Sequence, residues 1–293
     1  MEETRAQHLT GVYKKGKCKM LWENLTAPQF KQAVKDTSLC IIPVGVLEKH
    51  GNHLPLGTDM FAVREICTAA AKKEQAVVFP YYFMTQISEA RHFHGTIAVS
   101  HRMMMDNLLA MCDEISRNGF KKILIASGHG GNNSFLPFFT QEMPKLGRDY
   151  CVYVCRGGNF TDEQIEQIKK AANTNDTGSH AGVTETAMMM HLVPELVHLD
   201  QQDPTKSYPL GKLDSLKACR ITTGFDWYAD YPDHFAGDYT GATPEIGEMI
   251  FGMAVENMVG TIKAIKSDDV SPQLVREYAG YGNDPCTTPK FYE

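Results

Sequence analysis

Residues 39–74 read LCIIPVGVLEKHGNHLPLGTDMFAVREICTAAAKKE, and the order of residue types along them decides the fold. Residues 39–46 form a short, unbroken apolar run rich in β-formers, the composition of a strand buried on both faces. A polar loop, Glu48 to Asp59, follows directly. From Met60 to Glu74 the apolar positions Phe61, Val63, Ile66, Ala69 and Ala70 recur at helical spacing. The same alternation continues downstream. Ala76–Phe79, stopped by Pro80, Lys122–Ala126 and Tyr150–Cys155 read as further strands. Arg102–Asn118, Asn132–Leu146, Ala181–His191 and Pro244–Lys266 read as helices, the first closed by Asn118-Gly119. Buried strands alternating with helices predict an α/β fold whose parallel sheet is covered on both faces. Residues 1–270 read as a single domain. The Gly-, Pro- and Tyr-rich stretch 200–243 predicts long loops with a short hairpin. Residues 271–293, polar and containing Pro272, Pro285 and Pro289, read as a tail, either a disordered end or an arm reaching a neighbouring subunit.

The composition narrows the class of function. The chain has 293 residues, 29 basic against 35 acidic, a net charge of −6, and 43% hydrophobic residues. That balance excludes a disordered chain and gives no basic footprint for nucleic acid. No apolar run is long enough for a membrane helix, and the first twenty residues lack the apolar core of a secretory signal. The eight cysteines form no C-x-x-C pair, and several lie inside apolar runs. They predict free buried thiols and a cytoplasmic protein.

Three polar clusters carry the chemistry. The loop Glu48–Asp59 (EKHGNHLPLGTD) concentrates two imidazoles and two carboxylates after the first strand. Nitrogen and oxygen donors in that mixture suit Zn²⁺, Mn²⁺ or Fe²⁺; the alternative is a polar surface loop. Ser127–Asn133 (SGHGGNN) follows the third strand and opens a helix. Its glycines allow close backbone approach, so a phosphate cradle competes with a metal-ligand role for His129, but no Gly-Lys-Ser/Thr follows. Ser179–Thr186 (SHAGVTET) brings His180 and Glu185 to a helix start, where Glu185 also suits the helix dipole. Two of these clusters fall at strand ends, where open α/β sheets bind ligands. The methionine triplets 103–105 and 188–190 read as core packing rather than soft metal ligands.

The strings VGVLEKHGNHLPLGTD, SGHGGNN and HAGVTET, with YTGATPEIGE before the last long helix, resemble the creatininase (creatinine amidohydrolase) family over roughly residues 25–265. The resemblance implies a three-layer α/β/α sandwich with a mainly parallel central sheet, two divalent ions per chain, and hydrolysis of a cyclic or linear amide C–N bond by a metal-bridged hydroxide. It also implies a homo-oligomer, commonly a hexamer, acting on a small molecule. Carried over by position, Glu48, Asp59 and His129 hold one ion, and Asp59 bridges to a second that His50 also binds. His180 takes the proton-shuttling position. Creatininase itself has a glutamate two residues after the Gly-His histidine, where this chain has Gly131, and an aromatic residue where it has Gly130. That departure points away from creatinine and makes Glu185 the candidate for completing the second site, as metal ligand or as catalytic acid–base. Backbone amides at Gly130 and Gly131 are expected to stabilise an oxyanion, and His94 to line the substrate pocket. His53 is expected to support the ligand loop through Glu48 or His50, and Asn132 to cap its helix or orient His129. The aromatic stretch Trp227–His234 reads as a candidate lid. Alternatives are hydrolysis of a C–C bond in an inositol-derived cyclic ketone, a non-catalytic metal-binding protein, and a phosphosugar isomerase.

Overall fold

The computed structural model describes residues 20–175 and 180–284. Four strands form one parallel sheet: β1 (Leu39–Val44), β2 (Val77–Val78), β3 (Lys122–Ser127) and β4 (Cys151–Arg156), in the order β2-β1-β3-β4. The register pairs Leu39 with Lys122 and Lys122 with Cys151, so the carboxyl ends of β1, β3 and β4 finish level at Val44, Ser127 and Arg156.

Strand alternation divides two cores. Leu39, Ile41, Leu124 and Ala126 face one side. There they meet α2 (Thr58–Lys73), α6 (Val183–Leu192) and α9 (Pro244–Ser267). Cys40, Ile42, Val44, Ile123 and Ile125 face the other. That side is covered by α1 (Ala27–Thr37), α3 (His101–Arg117) and α4 (Asn132–Leu146). The result is the expected three-layer α/β/α sandwich. Met104, Met188 and Met189 are buried in the packing. All six cysteines among the described residues are free thiols. Among the described residues no helix is long and apolar enough to cross a membrane.

Some elements depart from expectation. Helix α1 and α5 (Asp162–Ala172) are not announced by a long apolar stripe; both open on a capping box, Thr26 with Gln29 and Thr161 with Gln164. The stretch 200–243 holds no paired hairpin among the described residues. It forms single turns and two short helices, α7 (Asp214–Ala218) and α8 (Asp226–Asp230), with one isolated bridge joining His180 to Ala236. The expected tail begins as a helix, α10 (Val270–Asn283), on β4 and α4 of its own chain. Asp268 explains it: its carboxylate accepts the amides of Val270 and Ser271 and the Tyr153 hydroxyl, while Pro272 sits in the first turn, where a missing N–H costs nothing. Residues 285–293 lie outside the described residues.

Two glycines let α2 dock on the sheet ends. A Cβ on Gly45 would stand 2.7 Å from the amide nitrogen of Met60, and one on Gly128 would stand 2.6 Å from the carbonyl oxygen of Asp59 and 2.9 Å from the Val63 side chain. Both neighbours are fixed, so the first turn of α2 rests between β1 and β3 only because these positions lack side chains. Gly128→Ala is expected to cost about 1–3 kcal/mol, the usual range for overpacking, read as a lowered midpoint in urea unfolding.

Candidate metal centre

The three sequence clusters meet beyond the carboxyl ends of β1 and β3. The loop after β1 is closed by the Glu48 amide, which donates to the Leu56 carbonyl, and Gly51 supplies the positive-φ turn between His50 and His53. Glu48, His50, Asp59 and His129 are each at most 7% exposed. Asp59, in the first turn of α2, turns its two oxygens in different directions: Oδ2 lies 2.9 Å from His129 Nδ1, and Oδ1 lies 3.0 Å from His50 Nε2. Glu48 Oε1 lies 2.8 Å from the same His129 nitrogen.

The donors fit divalent cations. Glu48, Asp59 and His129 offer ligand atoms within 4.8 Å of one another, as do His50, His180 and Glu185. Glu48 Oε1 and Asp59 Oδ2 are buried and both turn on the one Nδ1 of His129, so a single N–H must serve two carboxylate oxygens, a shortage that a bound cation relieves. The charge balance agrees. Burial alone would neutralise His50, yet Asp59, Glu185 and Glu48 beside it raise its pKa to about 10. His129 is raised well above its ordinary value against the same opposition, by Glu48 and Asp59. Burial also opposes ionisation of Glu48, but the charge of His129 and the hydrogen bonds from His129 and His234 outweigh it and hold the carboxyl well below its usual range. The cluster therefore demands positive charge at its centre.

Glu185 stands at the second group of donors. Its Oε2 accepts the Ala181 amide at 2.6 Å and lies 3.8 Å from His50 Nε2. Protein packed around the carboxyl raises its pKa to about 7, with Asp59 and Glu48 adding to the rise and His50 opposing it. His180 is held at both ends. Its backbone pairs with Ala236, and its Nε2 donates to the Lys49 carbonyl at 2.8 Å. Its ring lies 4.3 Å from that of His50. Burial and then the His50 charge keep it neutral, well below its ordinary pKa, so Nδ1 is the nitrogen free to take a proton.

Other expected residues take different places. His53 does not reach Glu48 or His50. Its Nε2 donates to the Thr186 hydroxyl, which itself donates to the Ala181 carbonyl, and its ring stacks on Tyr239 at 4.2 Å. It ties the ligand loop to α6 instead. Asn132 does not cap α4; Gly131 holds the cap position without a side-chain bond. The Asn132 amide donates to Thr85 and Ser127, and Ser127 brackets His129 by donating to its carbonyl and accepting its amide. His94 is exposed and outside the site cavity, because the chain presents Phe93 inward under the Lys49 ammonium and turns away at Gly95. The amides of Gly130 and Gly131 have no partner among the described residues. A Cβ on Gly131 would stand 2.4 Å from His129 Nε2 and 2.3 Å from Gln86 Oε1, so no side chain fits there. Ser179 lies outside the described residues.

One contributor escapes the sequence. His234 Nε2 donates to Glu48 Oε2 at 2.6 Å. The indole N–H of Trp227 donates to His234 Nδ1 at 2.9 Å. An indole can only donate, so Nδ1 is bare and the proton sits on Nε2. The aromatic stretch is thus a wall of the site, pinned by Lys49 to the carbonyl of Asp233 at 2.8 Å and by His92 to the Pro232 carbonyl at 2.9 Å. It lines a cavity of about 300 Å³ with Glu89, His180 and the donors.

The family model described as creatinine amidohydrolase matches residues 23–262. This chain belongs to the creatininase family. Members of that family are metal-dependent hydrolases. It is 26% identical to creatinine amidohydrolase of Pseudomonas putida over 237 residues, 76% of this chain and 88% of that one. It is 27% identical to the mycofactocin precursor peptide peptidase of Mycolicibacterium smegmatis, over 78% and 86% of the two chains. It is 25% identical to 3-dehydro-scyllo-inosose hydrolase of Thermotoga maritima, over 70% and 65%. Among solved structures, a putative creatinine amidohydrolase from Bacteroides fragilis aligns with a TM-score of 0.72 at 24% identity, over 87% and 99% of the chains. A zinc-zinc creatininase variant aligns with a TM-score of 0.70 at 21% identity, over 85% and 99%. This creatininase-family chain accordingly presents donors for two divalent ions.

Trp227→Phe removes the only donor to His234 Nδ1 among the described residues. Imidazole ¹⁵N spectra are expected to show one Nε2–H form of His234 in the native protein and a mixture of forms in the variant, with a stability loss of about 0.5–1.5 kcal/mol.

Proposed function

We propose that this protein is a two-metal hydrolase that cleaves a C–N amide bond in a small molecule other than creatinine. The observation that carries the reading is the divided Asp59 carboxylate, one oxygen toward His129 and the other toward His50. In this reading Glu48, Asp59 and His129 hold one ion, and His50, Asp59 and Glu185 hold the other. Bound there, divalent ions polarise a carbonyl and acidify water.

The chain's own groups do the rest. The free amides of Gly130 and Gly131 face the crevice and accept developing negative charge on the carbonyl oxygen. His180 is neutral, with Nε2 committed to the Lys49 carbonyl, so its Nδ1 takes the proton that the attacking water loses and delivers it to the leaving nitrogen as the C–N bond breaks. Glu185, whose pKa burial raises to about 7, would hold the second ion together with His50. His234, its proton fixed on Nε2 by Trp227, keeps Glu48 Oε2 occupied so that Oε1 turns inward. The bare glycine pair supports a substrate other than creatinine, since it removes both side chains that creatininase carries there. Free thiols support a cytoplasmic setting.

Elemental analysis tests the metal assignment. We expect about two divalent ions per native chain and a loss of both in Asp59→Ala. One ion retained by the variant would remove the bridging role; none in the native chain after incubation with Zn²⁺ or Mn²⁺ would sink the mechanism. His180→Ala is expected to keep both ions and lose roughly 10²–10⁴-fold in turnover, the range for a general acid–base.

A further inference from the structure

A second cavity, of about 410 Å³, lies on the other side of the same donors. The two cavities share Asp59, His129, Gly130, Asn133 and Glu185 as a common wall. Their chemistry differs sharply. The first holds Glu48, Glu89, His180, Trp227 and His234. The second is walled away from the donors by Val63 and Ile66 of α2, Ile165 of α5, Met188 of α6, and Phe160 in the loop after β4. Arg156 is the one charged side chain it has apart from the shared donors, and it lies exposed at the rim. Away from the shared wall its remaining lining is neutral, the apolar side chains being joined by Thr58, Ser127, Asn159 and Thr184, and its volume falls within the ~300–1,000 Å³ typical of pockets for small ligands.

The shared wall gives a carbonyl held there one cavity for each of its two substituents. We propose that the second cavity receives an uncharged aliphatic or aromatic arm of the substrate, between an isobutyl and a benzyl group in size, so that the amide cleaved is flanked by such a group. The polar remainder lies against Glu89, His180 and Trp227. This inference rests on the two-metal hydrolase reading and adds a substrate class to it. Apolar transfer makes each buried CH₂ worth about fourfold in affinity, so an arm of three or more buried carbons discriminates strongly against a methyl group.

Hydroxamates, which chelate divalent ions through their own carbonyl, test this without turnover. The zinc-loaded protein, its metal content confirmed, is titrated calorimetrically with acetohydroxamate, 3-methylbutanohydroxamate, phenylacetohydroxamate and the monohydroxamate of glutaric acid. We expect the isobutyl and benzyl arms to bind at least tenfold more tightly than the methyl one, and the charged arm to gain nothing. Ile165→Asp should reduce the apolar advantage to threefold or less and leave acetohydroxamate affinity unchanged. Phe160→Ser, in a loop outside the helices, gives the same comparison should Ile165→Asp fail to fold. Equal binding of all four compounds by zinc-loaded protein overturns the apolar subsite and leaves the metal site standing. Failure to take up zinc, or to bind acetohydroxamate when loaded, overturns the hydrolase reading itself.

Discussion

The site depends on how closely the first turn of α2 approaches the ends of β1 and β3. Asp59 belongs to that turn, and its backbone carbonyl touches the position of a missing side chain at Gly128. Helix α2 is held from below by Val63, Ile66, Cys67 and Ala70 in the core, so it cannot slide to relieve a contact above. Sheet, helix and carboxylate therefore form one rigid unit. Both metal groups inherit their separation from it, because a single side chain faces each of them.

Around that carboxylate the charges are arranged to be incomplete. Three acids converge with His50 and His129 and raise the pKa of both against their burial. Residues one layer out decide which atoms remain for binding. Ser127 and Asn132 fix the backbone of His129, Lys49 occupies one nitrogen of His180, and the Trp227–His234 pair occupies one oxygen of Glu48. Each contact leaves its partner a single unsatisfied atom pointing inward.

Much of this was legible in the sequence, for a local reason. Glu48, His50 and Asp59 share one loop, and a continuous apolar strand beside it announces a strand end. His129 and His180 are framed by short strings of small residues that read equally plainly. His234 had no such frame: it meets Glu48 across 186 residues, and a lone histidine among aromatic residues carries no spacing signal. His53 and Asn132 lie beside true donors in sequence, yet the turn at Gly51 and the start of α4 aim them elsewhere. The helix after Asp268 was masked by its prolines, although a capping aspartate stood just ahead of them.

The crowding at Gly131 has an evolutionary consequence. A glutamate there would press on Gln86, whose amide donates to Glu89, and on the His129 ring, which Glu48 and Asp59 hold by Nδ1. No single substitution converts this site into one with a carboxylate on that loop. The change would have to pass through a chain whose His129 had already moved, and such a chain would have weakened its first donor group before gaining a ligand for the second. The crowding at Gly131 thus couples that position to His129, and leaves Glu185 as the acid that faces the second donor group.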